Sequence, residues 1–180
     1  MSGKILDGRV TLVTGATRGL GYAAALALAK AGSHIIATGR TQGGLEDLDD
    51  EIKEFGGECT LVPMDLKNPD GLDQLGSIIF ERWGRLDGLL ANAAILGDIT
   101  PAPHIEPKTF DELIAVNLTA NYRLIRSVDT LLRKSKAGRA VFLTSGVATS
   151  RRAFWGGYAA SKAGLEALVQ SYAKEMSITD

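Results

Sequence analysis

Short apolar runs alternate along the chain with longer stretches in which apolar side chains recur every three or four positions. Residues 10–13 are a short, mostly β-branched run and predict a buried strand. Residues 19–31, rich in alanine and leucine, predict a helix whose small side chains let it lie close on a sheet. Residues 33–38 predict a second strand. Leu45, Leu48, Ile52 and Phe55 then recur at helical spacing with acids between them, and Gly56-Gly57 ends that helix. Residues 58–63 predict a third strand; Leu72, Leu75, Ile79 and Trp83 mark a helix that stops near Gly84; residues 86–91 predict a fourth strand. Residues 93–108 hold three prolines and no period, so they predict a loop. Residues 109–134 predict a long helix with Ile114, Leu118, Ile125, Val128 and Leu132 along one face. A fifth strand over 140–144, a loop over 147–157 and a last helix over 158–176 complete the pattern. Largely apolar strands alternating with helices predict an α/β fold, a Rossmann-type doubly wound parallel sheet with helices on both faces and right-handed crossovers.

Composition narrows the classes. A chain of 180 residues suits one domain and can bury roughly 70% of its unfolded surface. With 45% hydrophobic and 23% charged residues, disorder is not the expectation. A net charge of −1 gives no long-range pull toward nucleic acid or an anionic membrane. Cys59 is the only cysteine, so no internal disulfide forms, and a cytoplasmic compartment is expected. Residues 1–12 lack a basic segment followed by an apolar one, so no secretory signal is expected, and no apolar run approaches the roughly 20 residues that span a bilayer. His34 reads as structural, and His104 lies in a loop that could approach a substrate. Two histidines and one cysteine so widely spaced predict no metal site.

Candidate chemistry begins between the first strand and the first helix, at Val13-Thr14-Gly15-Ala16-Thr17-Arg18-Gly19-Leu20-Gly21. Glycines there suit a tight turn and close backbone approach to an anion, while the helix N-terminus offers unpaired N–H groups and a positive dipole end to a pyrophosphate. The spacing is G-x-x-x-G-x-G, not the usual G-x-G-x-x-G. A glycine-rich turn with no ligand is the alternative, weakened by its position at the first strand-to-helix turn. Where NAD sites place an acid at the end of the second strand to bond the ribose 2′-OH, this chain has Gly39-Arg40. A guanidinium can fork onto a phosphate with two hydrogen bonds, and Arg18 could reach the same group. The expected cofactor is therefore NADP(H), with NAD(H) as second choice. Two solvated surface arginines are the alternative.

Ser145 closes the fifth predicted strand, at the end where open α/β sheets bind ligands. Tyr158 and Lys162 lie four apart at the start of the last helix and face the same way. A phenol ordinarily ionises near pH 10 and is a poor base at pH 7. A lysine charge about 4 Å away supplies on the order of 4 kcal/mol at an effective dielectric of 20, about what is needed to bring a phenol into the neutral range. A surface i,i+4 pair is the plainer reading. Asn117 sits among Ile114, Val116 and Leu118 in a predicted helix, where asparagine is a poor choice and a buried amide needs partners. A structural bond to a neighbouring loop is its alternative.

Taken together, the Thr14-to-Gly21 loop, Asn92-Ala93-Ala94, Asn117, Ser145 and Tyr158-Ala159-Ala160-Ser161-Lys162 resemble, in order and spacing, the short-chain dehydrogenase/reductase family, over nearly the whole chain and in the general style of 3-oxoacyl carrier-protein reductases. The resemblance implies hydride transfer between NADP(H) and a carbonyl or alcohol substrate. It implies that Tyr158 is the acid/base, that Ser145 holds the substrate oxygen, that Lys162 tunes Tyr158 and binds the nicotinamide ribose, and that Asn117 holds a water in a proton relay. It implies that Asp65 contacts the adenine amine and that Asn92 steadies the central strands. Leu66 and Ala93 complete the expected cofactor set with Gly15, Thr17, Arg18, Gly19, Leu20, Gly21, Arg40, Tyr158 and Lys162. A homodimer or homotetramer is implied in the same way.

Two departures stand out. The loop reads Ala91-Asn92-Ala93-Ala94, where the family has two asparagines and a final glycine, and a Cβ there makes close approach less easy. Asp180 falls soon after the catalytic helix, where the family continues with further strands and a substrate-covering segment. Residues 1–180 are thus expected to be a single dinucleotide-binding domain, incomplete at the C-terminal end, its C-terminal strands missing and its fifth strand an open edge. Little turnover is expected of such a form. The alternative expectation is a truncated, catalytically inactive nucleotide-binding or interaction protein. Arg151, Arg152, Phe154 and Trp155 lie between Ser145 and Tyr158, where they would flank a substrate and suit one carrying a carboxylate or phosphate; a solvated basic loop is the plainer reading.

Overall fold

Strands β1 (Val10–Thr14), β2 (His34–Gly39), β3 (Cys59–Pro63), β4 (Gly88–Ala91) and β5 (Arg139–Phe142) pair in parallel in the order β3-β2-β1-β4-β5. This computed structural model describes residues 4–178; residues 1–3 and 179–180, the two ends of the expected domain, lie outside the described residues. The chain runs outward from β1 to β3 and then returns past β1 to β4. Right-handed crossovers therefore put α1 (Gly19–Lys30) and α2 (Gln42–Glu54) on one face and α3 (Pro69–Trp83) on the other. The reversal leaves a crevice at the C-terminal ends of β1 and β4, the place where such sheets bind ligands.

Strand alternation feeds two cores. Val13, Ile35 and Ala37 pack with Ala25, Ala29, Leu45, Leu48 and Ile52 under α1 and α2. Leu12 and Ile36 point the opposite way and are buried, as are Leu72, Leu75 and Ile79 of α3. Helix α3 begins at an Asn68 cap, whose Oδ1 accepts the Gly71 N–H, and ends on left-handed Gly84. At Gly76 a Cβ would strike the Ser127 carbonyl, so only glycine lets α3 and α5 (Ala120–Lys134) approach this closely. The Gly76 N–H donates to Ser127 Oγ at 2.8 Å.

At the opposite end of the sheet, buried Asp87 ties the strands together. Its carboxylate accepts the Val10 N–H at 2.9 Å, the Ser135 hydroxyl at 2.5 Å and Arg85 Nε at 3.2 Å. Burial alone would raise its pKa. The hydrogen bonds from Ser135 and Val10 and the Arg85 charge outweigh burial and hold the carboxyl below its usual range.

The described residues fall into two compact units. One comprises those up to Ala93 with Leu124–Leu143, and the other Ala94–Arg123 with the residues from Thr144 onward. Several elements differ from expectation. The predicted long helix is α4 (Pro107–Ile114), a π-helical turn (Ala115–Thr119) and α5, with proline at the start of α4. Its buried positions are Leu113, Val116, Asn117, Ala120, Asn121, Leu124, Val128, Leu131 and Leu132; Ile114, Leu118 and Ile125 are only half-buried. The true face carries two asparagines, so a count of apolar residues shifts the face one position around the helix. Strand β5 is shorter than expected, while its place at the sheet edge is the expected one, with Arg139, Ala140 and Val141 exposed. The loop over 147–157 contains the single turn α6 (Val147–Ser150), and that over 93–108 a 3-10 turn at Ala102–His104.

Candidate active site

Thr14, at the end of β1, is buried, and its Oγ1 accepts the N–H groups of Asn92 and Ala93, each at 3.1 Å. Asn92 answers with its side chain, whose Nδ2 donates to the carbonyls of Thr14 at 3.0 Å and Gly15 at 3.2 Å. Asn92 and Thr14 thus tie the segments after β1 and β4 into one rigid rim. Gly15 has φ +66, a left-handed conformation that favours glycine, and a Cβ on Gly21 would collide with the Gly15 carbonyl and the Asn92 amide. Arg18, at the cap position of α1, is extended and gives no side-chain hydrogen bond, and the first turn holds no acid. The first-turn N–H groups of α1 and its dipole therefore meet no side-chain cap or acidic neutraliser. The cradle closed to a Cβ and the uncapped helix start both fit a pyrophosphate.

Around this rim the remaining expected cofactor residues are spread. The Thr17 side chain packs where Cβ atoms on Gly39 and Gly44 would stand, which fixes the loop against the end of β2. Arg18, Arg40 and Leu20 are exposed. Asp65 is exposed and its Oδ1 accepts the Lys67 N–H at 2.9 Å, while Leu66 is half-buried.

In the second unit, fully buried Asn117 spends its whole carboxamide on the fold. Its Oδ1 accepts the Ile95 N–H at 2.9 Å, and its Nδ2 donates to the Ile95 carbonyl at 2.8 Å and to Ser161 Oγ at 3.0 Å. Ser161 in turn donates to the Tyr158 carbonyl at 2.8 Å. The amide therefore joins the segment after β4, the π-helical turn and α7 (Gly156–Ile178). The side-chain bond to a neighbouring loop, one of the two readings of this residue, is what the amide makes. The Asn117 main-chain carbonyl accepts Asn121 Nδ2 at 2.8 Å.

On α7, Lys162 is 2% exposed, and burial pushes its ammonium pKa down. Its Nζ stands 5.9 Å from the centroid of the Tyr158 ring. A solvated i,i+4 pair would leave the lysine in water, so that plainer reading fails. Ser145 is half-buried at the turn into α6, its carbonyl accepting the Ala148 N–H at 3.0 Å. The second unit thus brings Asn117, Tyr158 and Lys162 together through Ser161. Such a group can hold a phenol beside a cation and move a proton at Tyr158 Oη.

A doubly wound parallel sheet with a glycine cradle after its first strand defines the Rossmann class of protein. The short chain dehydrogenase family matches residues 9–180, and the chain belongs to that family, oxidoreductases that act on CH–OH or C=O groups with NAD(P). It is 36% identical over 174 residues to the uncharacterized oxidoreductase YciK of Escherichia coli K12, a match covering 95% of this chain and 69% of that protein. It is 32% identical over 173 residues to a 3-oxoacyl-[acyl-carrier-protein] reductase of Synechocystis, covering 96% of this chain and 70% of that protein. A short chain dehydrogenase structure from Shigella flexneri, complexed with NADP, superposes with a TM-score of 0.90 at 35% identity, covering 97% of this chain and 74% of that one. Among the described residues no helix is long and apolar enough to cross a membrane.

Sequence reasoning quoted Thr14 and Ser161 within its motifs without giving either a role, and passed over Asn121. Each has a signal in the chain. Asn121 repeats the misfit of Asn117 one helical turn later, Ser161 sits next to Lys162 on a face that is otherwise apolar, and Thr14 interrupts an apolar strand at its last position.

Proposed function

We propose that this chain is an NADP(H)-dependent oxidoreductase that moves hydride between the nicotinamide and a carbonyl or alcohol substrate. The observation that carries this reading is Lys162, buried beside Tyr158 on a helix whose Ser161 is pinned by Asn117. Backbone N–H groups of Gly15, Thr17, Gly19, Leu20 and Gly21 would hold the pyrophosphate, with Asn92 and Ala93 as the rim. Arg18 and Arg40 would hold the ribose 2′-phosphate, and Asp65 and Leu66 the adenine. Tyr158 and Lys162 would bond the nicotinamide ribose. When bound, the nicotinamide gives or takes the hydride.

The protein's own part is the proton and the oxygen. Tyr158 Oη donates its proton to the carbonyl oxygen in reduction and takes it back in oxidation. Ser145 Oγ donates a hydrogen bond to the same oxygen. The Lys162 charge favours the phenolate as the proton leaves. Asn117 fixes the α7 backbone under Tyr158 and lies on the relay that returns a proton from water. The Synechocystis relative is named as a reductase, and the Shigella structure carries NADP; both support the reading without fixing the substrate. A homodimer or homotetramer acting in the cytoplasm completes it.

The test is a fluorescence titration with NADPH and NADH, followed by NADPH consumption against a panel of ketones. Tighter binding of NADPH and turnover of at least one ketone are expected. Failure of both nucleotides to bind refutes the proposal.

A further inference from the structure

The five residues between α6 and α7 are built in a way that a solvated loop does not require. Arg151 (φ 49) and Phe154 (φ 72) are both left-handed without being glycine. Such strain persists only where the surroundings over-determine it. Here the Phe154 carbonyl accepts the Thr100 N–H at 3.0 Å, the Arg151 N–H is held by the Val147 carbonyl at 3.1 Å, and the Trp155 carbonyl accepts the Ala159 N–H at 2.8 Å. Trp155 is thus locked to the same helix as Tyr158, and the two rings meet edge-on with centroids 6.2 Å apart. The Arg152 guanidinium lies 5.8 Å from the Trp155 ring centroid. The indole therefore neighbours both a phenol and a guanidinium, the last no further from the first than those two distances together.

From this juxtaposition we infer that the substrate is a carbonyl or alcohol compound carrying an anionic group, carboxylate or phosphate, beyond an apolar or aromatic stretch. The inference rests on Tyr158 as the acid/base. The reacting oxygen would sit at Tyr158, the apolar stretch against Trp155, and the anion on Arg152. The exposed guanidinium, within cation–π range of the indole, is biased toward the Trp155 face and keeps its charge open to an anion. Phe154 and Ile99, 57% and 52% exposed, supply further apolar surface beside the Thr100–Phe154 staple.

The test separates binding from turnover. Trp155 and Trp83 are the only tryptophans, so Trp83→Phe leaves Trp155 as the sole indole reporter. Titrate that variant with 4-acetylbenzoate, 4-acetylphenyl phosphate and the neutral methyl 4-acetylbenzoate, with NADP⁺ present. Both anions should quench Trp155 and bind roughly tenfold tighter than the ester, the scale of one charge-assisted hydrogen bond. Arg152→Gln keeps the stem and removes the charge, so it should erase that preference and leave the ester unchanged. Arg151→Gln should keep the preference. Equal binding of anions and ester, no binding of any probe, or an equal loss in both arginine variants overturns the inference. Preference for the anionic ketones without NADPH-dependent reduction of any of them would leave the anion site at Arg152 standing, overturn its assignment to a substrate and refute the catalytic reading. The carboxylate and phosphate probes show which anion the site prefers.

Discussion

The two units solve opposite problems with opposite materials. The glycine rim of the first unit works by having no side chains. Gly15 and Gly21 leave room where a Cβ would collide, and the main chain of α1 is presented without a cap. The second unit works through buried polar side chains. Asn117, Asn121, Ser161 and Lys162 are all at most 3% exposed, and the hydrogen bonds of the first three interlock. An anion is bound well by many weak N–H dipoles whose positions are fixed by the fold. A proton is moved by one group at one place, and that group must be aimed by neighbours that water cannot displace. The difference teaches that small changes should fail differently in the two units: substitutions in the rim through affinity, substitutions in the polar cluster through rate and stability.

The largest expected effect tests the second unit. Tyr158→Phe removes one oxygen and keeps the ring against Trp155, so turnover should fall by about 100-fold or more with NADPH affinity unchanged. Single-turnover kinetics beside a cofactor titration reads both, and residual activity above a tenth of the parent would show that another group donates the proton.

Next comes Asn117→Ala. It strands the half-buried Ile95 N–H and carbonyl and one buried Ser161 bond at once, so stability should drop by about 2–4 kcal/mol in urea unfolding. Asn117→Asp offers the same acceptor to Ile95 N–H but no donor, and should lie between. A drop under a tenth of that range in Asn117→Ala would show that the cluster does not act through its amide.

The rim should respond more gently and only in affinity. Arg40→Asp removes a phosphate partner and adds repulsion, so the preference for NADPH over NADH should shift by roughly tenfold toward NADH, with the unfolding midpoint unmoved because Arg40 is exposed. Parallel titrations of both nucleotides decide it. An unchanged ratio would place the 2′-phosphate elsewhere.

The smallest effect concerns neither site and calibrates both. Asp87 has its folded pKa held below the unfolded value, near 3.8. A depressed carboxylate contributes stability that is complete above its unfolded pKa and is lost as pH falls through the folded value. Asp87→Asn should therefore cost about 1–2 kcal/mol at pH 7 and flatten part of the acid limb below about pH 4. Unfolding midpoints from pH 2 to pH 7 check this. Parallel acid limbs in parent and variant would show that Asp87 is not the group that titrates.

Much was legible in the chain. The strand and helix order, the glycine turn, the absence of an acid before Arg40 and the Tyr158–Lys162 spacing all follow from local pattern, because strand and helix periods and turn chemistry are properties of neighbouring residues. The face of the α4–α5 stretch did not, since it carries Asn117 and Asn121, and a count of apolar positions leaves both out even though Asn117 stands out as a misfit. Asn117 is held inside by partners 22 and 44 positions away, at Ile95 and Ser161, and Asn121 by the Asn117 carbonyl. The edge position of β5 was legible, but the reach of the strand was not: it pairs over Arg139–Phe142, and the expected residues 143 and 144 lie beyond it.

The sequence by itself determined the elements, the residue types of the candidate chemistry and the family. Only the tertiary structure decided that Lys162 is buried, that Asn117 is a structural pin through its side chain, that Asn92 and Thr14 lock the glycine rim, and that Arg152 comes within cation–π range of the tryptophan beside Tyr158. The physical reason is one of range. Backbone preference and hydrophobic period act over a few residues, whereas desolvation and hydrogen-bond satisfaction are settled only when distant segments meet and water leaves.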